Sequence, residues 1–119
     1  KNKLELEGKI AIYGIYFDTG EAIIKEASKP ALNEIANYLK NNPTVHCWVV
    51  GHTDSDGSFE INSKLSLARA KAIREELLNK HGVSGKRLFA EGVGPLAPVA
   101  SNATEEGKKL NRRVELVKK

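Results

Sequence analysis

Apolar runs of strand length alternate along this chain with longer segments of helical periodicity. The predicted strands are residues 10–16, 45–50, 87–91 and 112–117. The predicted helices are residues 29–41 and 62–80 and the shorter stretch 104–110. Strands separated by helices predict an α/β chain, more closely an α+β two-layer sandwich with the order β-α-β-α-β-(short α)-β. In such a fold the sheet is mixed and the helices pack on one of its faces.

Two segments indicate where the core lies. Helix 29–41 has Ser28 as its expected cap and Pro30 in its first turn. The residues that share one side of this helix are Leu32, Ile35, Ala36 and Leu39. Strand 45–50 is apolar on both faces, which predicts a central position in the sheet.

The length and composition of the chain restrict its class. A chain of 119 residues with 40% hydrophobic and 29% charged residues is typical of a single globular domain, and we assign residues 1–119 to one domain. The longest apolar run, residues 10–17, has eight residues, whereas a membrane helix needs roughly 18. We therefore expect no membrane insertion by this domain. Because the chain contains no Met and begins at Lys1, we expect a domain excised from a longer protein.

The net charge of +4 does not predict a nucleic-acid partner. Residues 105–119 contain six basic and three acidic residues and so carry +3 of this charge, which leaves only +1 on the other 104 residues. A protein that binds duplex DNA normally carries a basic stripe that makes several phosphate contacts. We expect no nucleic acid among the partners.

Opposite charges meet where loop 51–58 enters the long helix. Asp54 leaves the end of the second strand, and the loop leads directly into helix 62–80. At 100° per residue, Asn62 and Arg69 fall within an apolar arc that we centre on Leu65. The other members of this arc are Ile61, Ala68, Ala72, Ile73 and Leu77. An arginine on a core-facing surface needs a partner for its charge.

Two interpretations of Arg69 follow. Arg69 either pairs with a nearby carboxylate and stabilises the fold, or it lines a site and binds an anionic group of a ligand near the helix N-terminus. In the second interpretation Asp54 and Arg69 face a common space, where Asp54 takes an ammonium and Arg69 binds a carboxylate bidentately. This arrangement fits a zwitterionic ligand.

Several short motifs follow one another at compatible spacing. They are Tyr16-Phe17-Asp18, Gly51-His52-Thr53-Asp54 with Gly57, Asn62-x-x-Leu65-Ser66-x-x-Arg69-Ala70, Gly92-Val93-Gly94, Asn102-x-Thr104-x-x-Gly107 and Asn111-Arg112-Arg113-Val114. In this order, over about residues 10–118, they resemble the OmpA-like peptidoglycan-binding domain, the family of the OmpA, MotB and Pal proteins.

The resemblance implies non-covalent binding of peptidoglycan through the diaminopimelate of the stem peptide. Such domains tether an outer-membrane or envelope protein to the cell wall, which implies the periplasmic face of a Gram-negative-type outer membrane, and some relatives also engage periplasmic proteins. The family's key aspartate and arginine match Asp54 and Arg69, while Thr53, Asn62 and Arg112 match further pocket positions. The ligand-binding residues predicted on this basis are Phe17, Asp18, Thr53, Asp54, Asn62, Leu65, Arg69 and Arg112. No cofactor and no metal are expected.

An enzyme is the first alternative. His52, Asp54 and Asp56 alternate along the loop like candidate metal ligands, and Ser66 is a candidate nucleophile. A calcium loop requires Gly at its sixth position and Glu at its twelfth, where this sequence has Phe59 and Leu65. Ser66 also lacks a glycine elbow. We therefore expect no catalytic activity.

Two single residues have structural interpretations. His52 is expected to be a hydrogen-bonding residue at the end of the second strand. Cys47, beside Trp48 in the same apolar strand, is expected to be a buried and unreactive thiol.

A protein-interaction module is the second alternative. It would have the same fold and would bind periplasmic proteins without binding the wall. Binding to purified murein sacculi distinguishes the two functions.

Overall fold

The computed structural model describes residues 3–119, so residues 1 and 2 of the predicted domain lie outside the described part. The helices are α1 (Lys3–Glu7), α2 (Lys29–Asn41), α3 (Phe59–His81) and α4 (Glu105–Asn111). The strands are β1 (Lys9–Ile12), β2 (Cys47–His52), β3 (Leu88–Gly94) and β4 (Val114–Lys118). A 3-10 turn, Glu26–Ser28, directly precedes α2. The predicted order of strands and helices is confirmed, and α1 is an additional helix at its start.

The four strands form one mixed sheet in the order β1-β4-β2-β3. β2 and β3 run parallel and are joined through α3, while β4 is antiparallel to both β1 and β2. β2 therefore lies between two strands, as its apolar sequence predicts. The α+β class with a mixed sheet is confirmed.

The hydrophobic core lies between the sheet and α2 and α3. Alternate residues of the strands, among them Val49, Leu88 and Leu116, point toward these helices and are almost completely buried. The predicted apolar side of α2 is confirmed, since its four residues Leu32, Ile35, Ala36 and Leu39 are all buried. Cys47 is fully buried in the same core, and burial raises the pKa of its thiol, as expected of an unreactive cysteine.

The predicted first strand, residues 10–16, is wrong at its C-terminal end. β1 stops at Ile12, which pairs with Val114, the first residue of β4. Because β4 begins only there, the residues after Ile12 have no neighbouring strand to pair with. The chain instead crosses to the start of α2, where the backbone of Tyr16 forms hydrogen bonds with the hydroxyl of Ser28.

Ser28 consequently does not cap α2 with its side chain. It occupies the N-cap position, but its side chain makes no capping hydrogen bond, because its hydroxyl is engaged with Tyr16. The predicted cap is therefore right in position and wrong in its interaction.

The long helix begins earlier than predicted and buries a side that overlaps only in part with the predicted one. Ser58 caps it by accepting a hydrogen bond from the backbone N–H of Ile61, and Gly82 ends it in the left-handed conformation at φ 69°. The residues buried along α3 are Asn62, Ser66, Ala70, Ile73 and Leu77. The arc centred on Leu65 is wrong at Ile61, which is 67% exposed, and at Ala68, which is exposed, but its members Asn62, Ile73 and Leu77 are buried as predicted.

Close packing against glycines explains this shift. A Cβ atom on Gly51 would overlap the backbone carbonyl of Ser66, and one on Gly92 would overlap the backbone N–H of Leu67. The backbones of β2 and β3 therefore lie very close to the backbone of α3, and only a helix face with small side chains fits against them. A helix projection that weights side chains by hydrophobicity misses this side.

The other boundaries differ by a few residues from the predicted ones. β2 starts at Cys47 and continues through His52, and β3 extends to Gly94. Within residues 3–119, no helix combines the length and apolar character that a membrane crossing requires.

Gly51→Ala should destabilise the domain strongly, because the new methyl group meets backbone atoms that cannot move aside alone. We expect a loss at or above the upper end of the roughly 1–3 kcal/mol that overpacking costs. The measurement is the free energy of unfolding in urea.

Gly57→Ala is the matched control for this change. Gly57 has φ 84° and open space around its Cβ position, so the same methyl group costs only the left-handed backbone strain, about 1–2 kcal/mol. Equal losses in the two variants would show that helix–sheet contact at Gly51 is not tight.

Candidate ligand-binding site

The end of β2 delivers Asp54 into a buried position. The backbone N–H of Thr53 donates to the carbonyl of Gly94 at 3.0 Å, and the Thr53 hydroxyl donates to the carbonyl of Asp54 at 2.7 Å. Asp54 is only 8% exposed, and its Oδ1 accepts a hydrogen bond from the backbone N–H of Asp56 at 2.9 Å. Asn62, at the start of α3, donates its side-chain amide to the carbonyl of Asp56 at 2.7 Å. These bonds fix the loop that carries the carboxylate.

Arg112 is the ionic partner of Asp54. Its Nη1 donates to Asp54 Oδ2 at 2.6 Å, and its Nη2 donates to Glu105 Oε2 at 2.9 Å. Glu105, and after it Asp54, raises the pKa of Arg112. The Arg112 side chain is 41% exposed, so this end of the site opens to solvent. We call Thr53, Asp54, Asn62 and Arg112 the Asp54 group.

Arg69 lies in a different environment. Its Nε donates to the carbonyl of Glu21 at 2.8 Å, and its Nη2 donates to the carbonyl of Asp18 at 3.1 Å. The guanidinium also lies over the ring of Phe17, with its central carbon 4.8 Å from the ring centroid. Burial lowers the pKa of Arg69. We call Phe17, Asp18 and Arg69 the Arg69 group.

Asp18 contributes to this group through its backbone. Its carboxylate points to solvent and pairs with Lys25 at 2.8 Å, while its carbonyl accepts the hydrogen bond from Arg69. The segment 17–21 therefore surrounds one side of the guanidinium without supplying a negative charge to it.

The two groups lie along the same side of α3. Asn62 and Arg69 are seven residues apart, which separates their backbones by about 10 Å along the helix axis and by only a small rotation around it. Half-buried Leu65 lies between them. Within residues 3–119 no ion pair joins Asp54 to Arg69, and Arg69 has no carboxylate partner. The structure thus brings the predicted residues together as two groups. It does not show Arg69 in an ion pair that stabilises the fold.

Glu105 is a residue of the site that the sequence analysis missed. It is the first residue of α4 and lies next to Thr104, which caps that helix. Lys108, one turn later, pairs with Asp56 at 3.2 Å, so α4 contacts the Asp54 loop directly through Lys108, while Glu105 reaches Asp54 only through Arg112. The signal was an acidic residue seven positions before Arg112, on a helix that leads directly to it.

A buried polar cluster lies beside the Asp54 loop. Arg113 donates its Nε to Glu115 Oε2 at 2.9 Å and its Nη2 to the carbonyl of Ala97 at 3.0 Å. Neither nitrogen of the His52 ring has a hydrogen-bond partner among residues 3–119, and its Nε2 lies 3.7 Å from Glu115 Oε1. The expectation that His52 forms structural hydrogen bonds is therefore wrong for its ring. Its backbone N–H does donate to the backbone carbonyl of Arg113.

The environment of His52 keeps its ring neutral. The pKa of His52 is lowered to about 4, first by burial and then by the nearby charge of Arg113, while Glu115 opposes the shift. The sequence does contain a signal for this buried cluster. Arg113 and Glu115 are two residues apart in the predicted strand 112–117, and side chains at that spacing point to the same face of a strand.

The candidate metal ligands are directed to other partners. Asp54 pairs with Arg112, Asp56 pairs with Lys108, and His52 lies near Glu115. In the described part of the chain, no group of three or more His, Cys, Asp and Glu side chains is placed to hold a metal ion.

A sequence model of the OmpA family matches residues 16–112, which include both groups of the site. The chain belongs to the OmpA family. It is 45% identical over 101 residues to outer membrane porin F of Pseudomonas aeruginosa, covering 85% of this chain and 29% of that protein. It is 41% identical over 103 residues to the peptidoglycan-binding protein ArfA of Mycobacterium tuberculosis, covering 87% of this chain and 31% of that protein.

A solved structure extends the likeness to three dimensions. The peptidoglycan-associated lipoprotein from Burkholderia pseudomallei is 33% identical, with a TM-score of 0.77 over 88% of both chains. Against porin F and ArfA, in contrast, this chain spans about a third of the relative's length.

The neutral His52 should make the stability of the domain depend on pH. In the unfolded chain the ring takes up a proton near pH 6.5, whereas in the folded domain it does so only near pH 4. Stability is therefore complete above about pH 6.5 and falls as the pH drops toward 4, by roughly 2–3 kcal/mol at about pH 4.5. The measurement is urea unfolding across this range.

His52→Leu isolates the contribution of this ring. It removes the titrating group and leaves the Arg113–Glu115 pair in place. The loss of stability at acid pH should therefore be smaller than in the wild type by the contribution of this ring. Stability profiles that run parallel for the wild type and the variant would contradict the prediction.

Proposed function

We propose that this domain binds peptidoglycan non-covalently through the diaminopimelate of its stem peptide. The observation that carries the proposal is Arg69, a half-buried guanidinium that lacks a carboxylate partner within residues 3–119. Two relatives support the choice of polymer by name: ArfA is a peptidoglycan-binding protein, and the Burkholderia structure is a peptidoglycan-associated lipoprotein.

Arg69 is suited to receive a carboxylate. Its Nε and Nη2 are engaged by two carbonyl oxygens, which orient the guanidinium plane but do not neutralise its charge. The ring of Phe17 supports one face of that plane. A partly desolvated cation held in this way binds an anion strongly, because its orientation is already fixed before the ligand arrives.

Asp54 is suited to receive an ammonium. Its carboxylate is buried, and the Asp56 N–H and Arg112 hold its two oxygens in place. Thr53 and Asn62 direct their polar groups to the backbone of the same loop, so in this arrangement they position Asp54. Arg112 lies at the solvent-exposed end of the site.

Diaminopimelate offers the matching pair of groups. Its free end carries both an ammonium and a carboxylate, whereas residues inside an ordinary peptide carry neither from their backbone. Two charge-assisted contacts at about 1.5–3 kcal/mol each correspond to roughly millimolar to tens of micromolar affinity. Weak single sites are sufficient on a repetitive polymer, since several attached domains bind together.

The proposed function is binding without catalysis. Ser66, the candidate nucleophile, is buried, donates its hydroxyl to the carbonyl of Ser63 at 2.8 Å and accepts from the N–H of Gly94 at 3.0 Å. These bonds assign it to the contact between α3 and β3. In the whole protein we propose that the domain attaches an outer-membrane or envelope protein to the wall from the periplasmic side.

Asp54→Ala and Arg69→Ala should each abolish co-sedimentation with purified sacculi. Each change removes one of the two charges that the ligand needs. Lys64→Ala, on the exposed side of α3, is the control and should bind like the wild type. Because Arg69 also holds segment 17–21, thermal melts must accompany the assay.

Two outcomes separate the possibilities. Variants that stay folded and still sediment like the wild type would show that the pocket is assigned wrongly. A wild-type domain that stays in the supernatant would favour the protein-interaction module.

The domain should prefer a diaminopimelate stem peptide over a lysine one. Lysine keeps the side-chain amine but lacks the second carboxylate, which leaves Arg69 desolvated and unpaired. We expect a loss of about 1.5–3 kcal/mol, roughly tenfold to a hundredfold in affinity. Calorimetric titration of both peptides measures it.

The same preference should largely disappear in Arg69→Ala, where no guanidinium remains to be satisfied. The four titrations form a double-mutant cycle that isolates the contact between Arg69 and the carboxylate. Equal affinity of the wild type for the two peptides would refute the role assigned to Arg69.

A further inference from the structure

Three charges of alternating sign stand in a row at the open end of the site. Arg112 lies in the middle, with Asp54 Oδ2 at 2.6 Å from its Nη1 and Glu105 Oε2 at 2.9 Å from its Nη2. Each guanidinium branch thus has its own carboxylate. The row carries a formal charge of −1, whereas Asp54 and Arg112 alone would carry none.

The net negative charge of this row affects how a cationic group of a ligand can bind. An ammonium that approaches Asp54 also approaches Arg112, which has the same sign and already occupies one carboxylate oxygen. With only Asp54 and Arg112 present, the ligand would meet a neutral pair and would have to displace the arginine. Displacing a hydrogen-bonded guanidinium from a buried carboxylate is costly.

We propose that Glu105 is a positioning and specificity-determining residue for the amine of the ligand. It holds Arg112 by its second branch and supplies the negative charge that lets Asp54 take an ammonium while Arg112 remains bound. This inference rests on the proposed function, and it adds to it a residue on α4 that selects for a free amine.

The structure around Glu105 supports this role. Lys108 pairs with Asp56 at 3.2 Å and so anchors the same turn of α4 to the Asp54 loop. Arg112 lowers the pKa of Glu105, which keeps its carboxylate charged at the pH of the periplasm or of a binding assay. Glu106, its exposed neighbour in the same turn, forms no ion pair with any of residues 3–119.

The test compares Glu105→Gln with Glu106→Gln. Both variants remove one negative charge from the first turn of α4, but only the first removes it from Arg112. The probes are a stem peptide with a free diaminopimelate amine and the same peptide acetylated on that amine. NMR titration follows both, because it reaches millimolar dissociation constants, and thermal melts check the fold of each variant.

We expect Glu105→Gln to weaken binding of the free-amine peptide by roughly threefold to tenfold. It should leave the weaker binding of the acetylated peptide unchanged, and Glu106→Gln should match the wild type with both. The affinity ratio of the two peptides is the decisive readout, since a merely structural role would weaken both equally.

Three results would overturn the inference: unchanged affinity in Glu105→Gln, an equal loss in Glu106→Gln, or an equal loss for both peptides. Failure of the proposed function looks different, because then the wild type itself binds neither peptide.

Discussion

The backbone contact between α3 and the parallel pair β2–β3 sets the position of everything else in the site. Gly51 and Gly92 leave no room between the strands and the Ser66–Leu67 segment of the helix. The Ser66 hydroxyl then bridges to the N–H of Gly94, which satisfies polar groups that this close approach buries. Because the helix lies so near the strands, its first turns stand directly beside the end of β2. The side-chain amide of Asn62 therefore reaches the Asp54 loop, and Arg69 follows two turns later in the helix.

Arginines serve as cross-links to backbone carbonyls throughout this domain. Arg87 donates to the carbonyls of Leu39, Asn42 and Val45, and so ties the end of α2 to the segment before β2. Arg74 donates to the carbonyls of Gly85 and Leu88 at the outer edge of β3. The contacts of Arg69 to segment 17–21 are of the same kind.

These arginines differ in where the guanidinium lies once its hydrogen bonds to the backbone carbonyls are made. Arg69 uses two of its nitrogens on carbonyls and stacks on Phe17, yet it stands at the site rather than at a strand edge. It is therefore both a cross-link and a candidate ligand contact. These hydrogen bonds hold segment 17–21 in place although it has no regular secondary structure.

The sequence predicted those features that depend on local pattern. The apolar side of α2 follows from residue periodicity, and the central place of β2 follows from its apolar residues on both faces. The motifs around Asp54 and Arg69 supplied the predicted site residues, which stay a prediction. The end of β1 could not be predicted, because it depends on where β4 begins. The buried side of α3 could not be predicted either, because it depends on two strand glycines that only the tertiary fold brings to the helix.

The pairing within the site also lay beyond the sequence. The sequence predicts that Asp54 and Arg69 face a common space, because loop 51–58 leads from the second strand into the long helix, but it predicts no ionic partner for Asp54. The observed ionic partner of Asp54 is Arg112, which lies 58 residues away in the sequence. It reaches Asp54 because β4 lies next to β2 in the sheet and brings the end of α4 to the Asp54 loop. Strand order decides this contact, and strand order is a long-range property.

The same strand order explains why a buried polar cluster is placed beside the site. The backbone N–H of His52 donates to the carbonyl of Arg113, the residue directly before β4, and the next N–H, of Thr53, donates to the carbonyl of Gly94 on β3. The end of β2 is thus fixed from both sides immediately before Asp54. The buried Arg113–Glu115 pair lies beside the His52 ring, which is neutral and adds no charge to it. A carboxylate carried by so constrained a strand end loses little conformational entropy on binding, which favours recognition by a small number of charged contacts.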